Sequence, residues 1–280
     1  MIKIIADTTC SVPREEGEAQ GIIYLPQIII FGEESYRDDT EIDTATFLQK
    51  LRASAKLPKT AAPPPALYTP IYQKHASRGD TMIVITPSSK VSGTFRSATV
   101  AAQEFADADI RIIETSTIAG GLGAIVLQAN RWAQEGMDAD TLVEKIKELD
   151  NHEKVYFLVD TLEYLYKGGR IGGASALVGS VLQIKPILTF VDGAIESVET
   201  QRTKRRAVAR IRELIEADAL AGEESRFCIS QCDAYDEAQT IAGEIGPVLG
   251  VSSVPIYEIP PAIVVHAGPK VLAFSYFRKI

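Results

Sequence analysis

The chain has 280 residues, 46% of them hydrophobic and 24% charged, and its 29 basic and 37 acidic side chains give a formal charge of −8. That length holds one large or two ordinary domains, and the composition excludes disordered and fibrous classes. An acidic chain also lacks the concentrated basic surface a duplex nucleic-acid binder needs to displace counterions. The opening run MIKIIAD is strand-like, with neither the apolar core nor the cleavage site of a signal peptide, and no apolar run reaches membrane-spanning length. A cytoplasmic protein without a transmembrane segment is expected.

Strands and helices alternate through the first half: strand 2–6, a strand near 22–31, helix 44–54, strand 81–86, helix 95–105, strand 110–114 and helix 120–135. This rhythm predicts a parallel α/β sheet layer, with ligands collecting at the carboxyl ends of the strands, where Asp7, Ser88 and Thr115 would sit. The proline-rich stretch AAPPPALYTP at 61–70 reads as a stiff surface loop entering a helix near 71. Residues 81–94, TMIVITPSSKVSGT, carry an apolar strand straight into a cluster of hydroxyls and a glycine. Helical periodicity begins at Phe95, so the cluster bridges strand and helix. Free N–H groups and the positive end of the helix dipole gather there, making an anion cradle; alternatively, Ser92 or Thr94 simply caps the helix.

After helix 138–149 the pattern changes. Strand 154–159 leads to a short helix at 160–169 with an acidic start and a Gly-Gly stop, then to two strands joined at Asp192-Gly193, a strong hairpin signal. Helix 203–217, strand 226–231, helix 234–245 and strands 254–259, 262–266 and 271–277 follow. The second half thus reads as an α+β domain with a mostly antiparallel sheet. The boundary falls near 150, giving an N-terminal α/β domain over 1–150 and a C-terminal domain over 151–280.

Cys10, Cys228 and Cys232 have no zinc-like spacing, and four residues along a strand span roughly 13 Å, beyond a disulfide's reach. Reduced thiols and no metal site are expected. His266 ends the apolar run IVV before Ala267-Gly268-Pro269 turns the chain. If it met Ser92 across a cleft, the two could share a ligand carboxylate, or form the nucleophile pair of a serine ester or thioester hydrolase with Asp7 as orienting acid. The sequence KVSGT lacks the first glycine of G-x-S-x-G, and GGRIGG at 168–173 follows a helix, the wrong context for a dinucleotide fingerprint. Arg170 stands at that glycine-broken helix end, where a guanidinium can project freely. Arg202, Lys204, Arg205 and Arg206 form the dense basic cluster of an acidic chain, explained equally by solvation or by docking of an acidic protein partner or phosphate.

Taken in order, these segments resemble the DegV family of bacterial fatty-acid-binding proteins. ADTTCSVP at 6–13, YRDDTEID at 36–43, KTAAPPP at 59–65, SSKVSGTFRSA at 88–98, DTLEYLYKGGRIG at 160–172, KPIL at 185–188, the Asp-Gly hairpin and HAGP at 266–269 are similar to the family's motifs in their order. The resemblance implies a two-domain α/β fold holding a long-chain fatty acid between the domains. It implies a carrier, not an enzyme, without a cofactor of its own, that presents the carboxyl group to a separate dihydroxyacetone-kinase-like fatty acid kinase for acyl-phosphate formation. By the same resemblance the hydroxyls of Thr60 and Ser92 hold the carboxylate, Gly93 permits close backbone approach, His266 completes the polar end, and Arg170 and Arg202 face the kinase. Burying about sixteen carbons at about 0.8 kcal/mol per CH2 supplies a gross drive on the order of 12 kcal/mol, enough for lipid to survive purification. This chain departs from the family pattern with Ala61 and Ala62 in place of Ser and Gln, Glu114-Thr115 in place of Asp-Ser, and Lys270 where a glycine is common.

Overall fold

In the computed structural model, which describes residues 1–179 and 184–279, the chain begins with β1 (Ile2–Asp7), α1 (Arg14–Ala19), β2 (Ile23–Leu25), β3 (Ile28–Phe31), β4 (Glu34–Arg37) and α2 (Thr44–Ala53). Next come β5 (Lys59–Ala61), α3 (Pro65–Ala76), β6 (Thr81–Thr86), α4 (Thr94–Ala102), β7 (Ile110–Glu114), α5 (Ala119–Gln134) and α6 (Ala139–His152). Strands β2-β1-β6-β7 form a wholly parallel sheet. Met82 to Ile85 of β6 are buried because both faces are covered, which is why the run is continuously apolar. Tyr68, Tyr72 and Ala98 from α3 and α4 pack on one face. Leu122, Ile125 and Ile146 from α5 and α6 pack on the other.

The remaining elements are β8 (Glu153–Leu158), α7 (Glu163–Lys167), β9 (Lys185–Val191), β10 (Ala194–Gln201), α8 (Lys204–Asp218), β11 (Cys228–Gln231), α9 (Tyr235–Leu249), β12 (Ile256–Glu258), α10 (Pro261–Ala267) and β13 (Leu272–Phe277). They build a six-stranded sheet, β10-β9-β8-β13-β11-β12, antiparallel except for the β11/β12 pair. Asp192 and Gly193 both take positive φ, 48° and 75°, as the tight turn between β9 and β10 requires. One face of this sheet is covered by α8 and α9 through Ile211, Ile215 and Ile241. The other face, carrying Val155, Phe157 and Leu188, receives α10, α2 and a third sheet, β4-β3-β5, contributed by residues of the first half.

Three local readings are corrected. The run near 22–31 is two strands in two sheets: Pro26 ends β2 and the chain crosses to β3, since proline cannot donate to a ladder. Residues 65–70 are helix, not loop, because Pro65 occupies the first helical position, where its fixed φ is preorganised and its missing N–H has no acceptor to satisfy. Residues 262–266 belong to α10, not to a strand. Burial of Ala262, Val264 and Val265 among the core residues outweighs the β-preference of the branched side chains.

Candidate functional site

A cavity of about 300 Å3 lies on the inner face of the six-stranded sheet, and most of its lining side chains are apolar. Val155, Phe157, Phe190, Ile195 and Ile259 give it apolar walls, and Thr60, Ser92, Gly93, Arg170, His266 and Gln27 also line it, with Thr60 on His266, Gly93 against Ala62, and Arg170 bonded to Gly168 O and Val91 O. The carboxylate residues expected from the sequence are therefore brought together: Thr60 on β5, Ser92 and Gly93 before α4, and His266 in the last turn of α10.

Gly93, not Ser92 or Thr94, is the N-cap of α4, and no side chain of that residue closes the helix start. The first-turn N–H groups, lacking intrahelical acceptors, therefore gather beside the cavity. Ser92 Oγ accepts the Thr94 N–H at 3.3 Å and lies 2.9 Å from Thr94 Oγ1. The hydroxyl of Thr94 is buried and donates to Asp7 at 2.7 Å. The hairpin tip and the parallel layer hold this loop from two sides: Ser88 donates to Gly193 O at 2.7 Å, and Glu114 accepts the Ser89 N–H at 2.8 Å. The Glu114-Thr115 departure thus anchors the loop instead of lining the cavity.

His266 Nε2 and Thr60 Oγ1 are 2.8 Å apart, while Nδ1 is buried with no partner among the described residues. Burial, then the nearby Arg170 charge, pushes the imidazole down to about 4, so it is neutral at physiological pH. The positive charge of the site is therefore Arg170 and not His266. A buried orphan N–H costs more than an under-used acceptor, so the proton belongs on Nε2, donated to Thr60. Thr60 is then free to turn its own O–H into the cavity. The ring fits because residue 168 has no side chain: a methyl group there would overlap Nδ1 and sit 2.9 Å from Tyr164 O. Gly168→Ala is accordingly expected to displace the imidazole at a cost of about 1–3 kcal/mol. Loss of the His266 ring signal's coupling to Thr60 in NMR, with a lowered melting temperature, checks this; an unshifted ring resonance counts against it.

Arg170 does not project freely. Its N–H bonds to Leu165 O at 2.9 Å as Gly169 turns with φ of 73°, and this reversal aims the side chain inward. Half-buried, the guanidinium donates to Gly168 O at 2.6 Å and to Val91 O at 3.3 Å, spanning from α7 to the hydroxyl loop. Arg202 is exposed just beyond β10 and lines no part of the cavity. Lys270 is also exposed, in the left-handed region at φ of 61°, which accounts for a glycine being favoured there. Ala62 lines the cavity with a methyl group, and Ala61 is exposed.

The nucleophile pair of a hydrolase is not formed. Ser92 is bonded to Thr94, His266 to Thr60, and Asp7 to Thr9, Gln27 and Thr94 instead of to His266. Gln27 was not anticipated as part of the site; the signal was a lone amide inside the apolar run YLPQIII, and it is only 3% exposed. Among the described residues no group of three His, Cys, Asp or Glu side chains could hold a metal ion, and no helix is long and apolar enough to cross a membrane. All three cysteines are free and buried.

Comparison with known proteins agrees along the whole chain. The family model described as "Uncharacterised protein, DegV family" matches residues 1–279. A DegV domain-containing protein of Streptomyces coelicolor is 34% identical over 97% of this chain and 96% of its own, and the Protein DegV of Bacillus subtilis is 31% identical over 87% of each. Among solved structures, a DegV family protein from Thermus thermophilus, studied for its fatty acid binding, has a TM-score of 0.91 at 28% identity over 99% of both chains. DegV of Bacillus subtilis, a fatty acid binding protein, has a TM-score of 0.88 at 28% identity over 99% of both.

Proposed function

This chain belongs to the DegV family, and from that membership we propose that it binds a long-chain fatty acid in the cavity and presents its carboxylate to a fatty acid kinase. One observation carries the reading: a cavity of about 300 Å3 lined mostly by apolar side chains, into which hydroxyls, a helix start and one guanidinium also reach, with Thr60 and His266 in contact. A fatty acid has that distribution of polarity, and a sugar or nucleotide does not. Thr60 and Ser92 donate to the carboxylate, Gly93 and the start of α4 contribute N–H groups, His266 directs the Thr60 hydroxyl, and Arg170 balances the charge from the side. Because hydroxyls and not a bidentate Arg fork hold the head group, one carboxylate oxygen stays available for phosphoryl transfer. The kinase supplies ATP and metal; this protein needs no cofactor of its own and does no chemistry.

The basic cluster supports a docking role. Lys204, Arg205 and Arg206 open α8 with no acid in its first turn, which opposes the helix dipole, so the cluster contributes nothing to helix stability. Lys204 is paired with Glu237 at 2.6 Å, leaving Arg202, Arg205 and Arg206 exposed to an acidic surface. Denaturing extraction of the recombinant protein, followed by mass spectrometry, is expected to release close to one equivalent of long-chain fatty acid. A protein that comes out lipid-free and also takes up no added palmitate would sink the proposal. Labelling of Ser92 by a fluorophosphonate probe would point instead to the hydrolase.

A further inference from the structure

Asp7 closes β1 at 1% exposure, and among the described residues no cation pairs with it. Its carboxyl is met only by neutral donors: Oδ1 by the Thr9 N–H at 2.9 Å and the Thr9 hydroxyl, and Oδ2 by Gln27 Nε2 and Thr94 Oγ1, both at 2.7 Å. The ionisable groups around it are Asp38, Cys10 and Tyr68, none of which can be positive. Asp38 is bridged to it by Gln27, whose backbone N–H donates to Asp38 Oδ1 at 2.8 Å while its amide reaches Asp7. Burial outweighs all four hydrogen bonds and raises the Asp7 pKa, and Asp38 is pushed up to about 8, first by burial. Two carboxyls so placed favour keeping at least one proton between them.

Counting hydrogens shows what that proton does. Thr94 Oγ1 has three neighbours at hydrogen-bond distance: Asp7 Oδ2 at 2.7 Å, Gln27 Nε2 at 2.9 Å and Ser92 Oγ at 2.9 Å. A hydroxyl has one hydrogen and two lone pairs. If Asp7 is ionised it can only accept, so Thr94 gives its hydrogen to Asp7 and must accept from both Gln27 and Ser92. The Ser92 hydrogen is then turned away from the cavity. If Asp7 carries the proton, it donates to Thr94, Thr94 donates to Ser92, and the Ser92 hydrogen points into the cavity. With Asp7 ionised, Ser92 reaches a ligand carboxylate only by leaving two oxygens 2.9 Å apart with no hydrogen between them.

We propose that Asp7 and Thr94 are positioning residues that set the direction of the Ser92 hydroxyl, so that a carboxylate ligand binds together with one proton held at the Asp7 end of the hydroxyl chain. This rests on the fatty acid reading of the cavity. In the balance, ligand carboxylate plus one proton enters and nothing leaves; the hydrogens of Thr94 and Ser92 reorient without any bond to oxygen being broken.

Titration calorimetry with lauric acid between about pH 6 and about pH 9.5 tests it, since the ligand's carboxyl and His266 both titrate below that window. Wild-type affinity is expected to hold at low pH and then fall, approaching about tenfold per pH unit once Asp7 ionises. Asp7→Asn, which cannot ionise, should bind with a flat profile, and so should Thr94→Val, in which the chain is cut. Asp38→Asn should keep the fall, because Asp38 touches Thr8 and Gln27 but not Thr94. A flat wild-type profile, or Asp7→Asn and Thr94→Val falling in parallel with wild type, overturns the inference. If Asp7→Asn does not fold, Thr94→Val decides alone. A wild-type protein that binds no lauric acid at any pH overturns the fatty acid reading first, and this one with it.

Discussion

Thr60→Val is expected to raise the fatty acid dissociation constant by roughly 10- to 100-fold, the equivalent of one hydrogen bond to a charged group. The substitution keeps the β-branched shape that suits β5 and removes only an oxygen. That oxygen has two uses. It accepts the His266 Nε2–H at 2.8 Å, and in the proposed function its own hydrogen is the donor offered to the carboxylate. Without it the ligand loses a donor, and the imidazole, whose other nitrogen already lacks a partner among the described residues, has neither nitrogen bonded to them. Calorimetry with palmitate checks the affinity, and Thr60→Ser should restore most of it. A change below about twofold, which is well under 1 kcal/mol, would remove Thr60 from the head-group site.

His266 and Thr60 also show where sequence reading stops. Their ring-to-hydroxyl contact joins residues 206 apart in the chain, through a helix that the β-branched run IVV presents as a strand. Both layers are legible because their signals are periodic and local: alternating strands and helices for the parallel sheet, Asp192-Gly193 for the hairpin. Pro65 and Pro261 illustrate the ambiguity of proline, which stops a helix or starts one according to a single position of register. The meeting of Thr60, Ser92, Gly93 and His266 was readable only through the ordered motifs, because no local pattern says which loops face one another. Arg170 shows the complementary failure. Its motif suggests an exposed cation, yet a backbone reversal at Gly169 turns it inward onto Val91 O, a tertiary consequence of one positive φ. The buried chain Asp7–Thr94–Ser92 and its companion Gln27 depend on hydroxyl geometry across three segments, below the resolution of any sequence pattern.

Glu153→Gln is expected to stabilise the protein at alkaline pH, by an amount that grows with pH. Glu153 opens β8 and lies against the first turn of α5, so closely that a methyl group at Gly121 would overlap its Oε1. That oxygen is buried with no hydrogen-bond partner among the described residues, and the same is true of the Ser230 and Ser275 hydroxyls, which lie against Gly120 in the same helix turn. Burial, only partly countered by the Thr117 hydroxyl and raised further by Asp150, pushes the carboxyl from 4.5 up to about 8. The sign follows from proton counting: between about pH 4.5 and about pH 8 the folded state holds a proton that the unfolded chain has released, so stability falls as pH rises through that window. Above it the full cost, on the order of 5 kcal/mol at about 1.4 kcal/mol per pH unit, is present. Gln has nearly the same shape and no charge to bury. Denaturant melts near pH 5 should therefore barely distinguish the two proteins, whereas near pH 8.5 the variant should be more stable by several kcal/mol and melt roughly ten degrees higher. A gap that is absent, or the same at both pH values, would show that Glu153 is hydrated or paired in solution. Ile118 and Ala119, at the same helix start, line the cavity. Ionising Glu153 thus loads the seam where the parallel layer meets the six-stranded sheet, and the stability lost with rising pH is lost beside the apolar wall of the cavity.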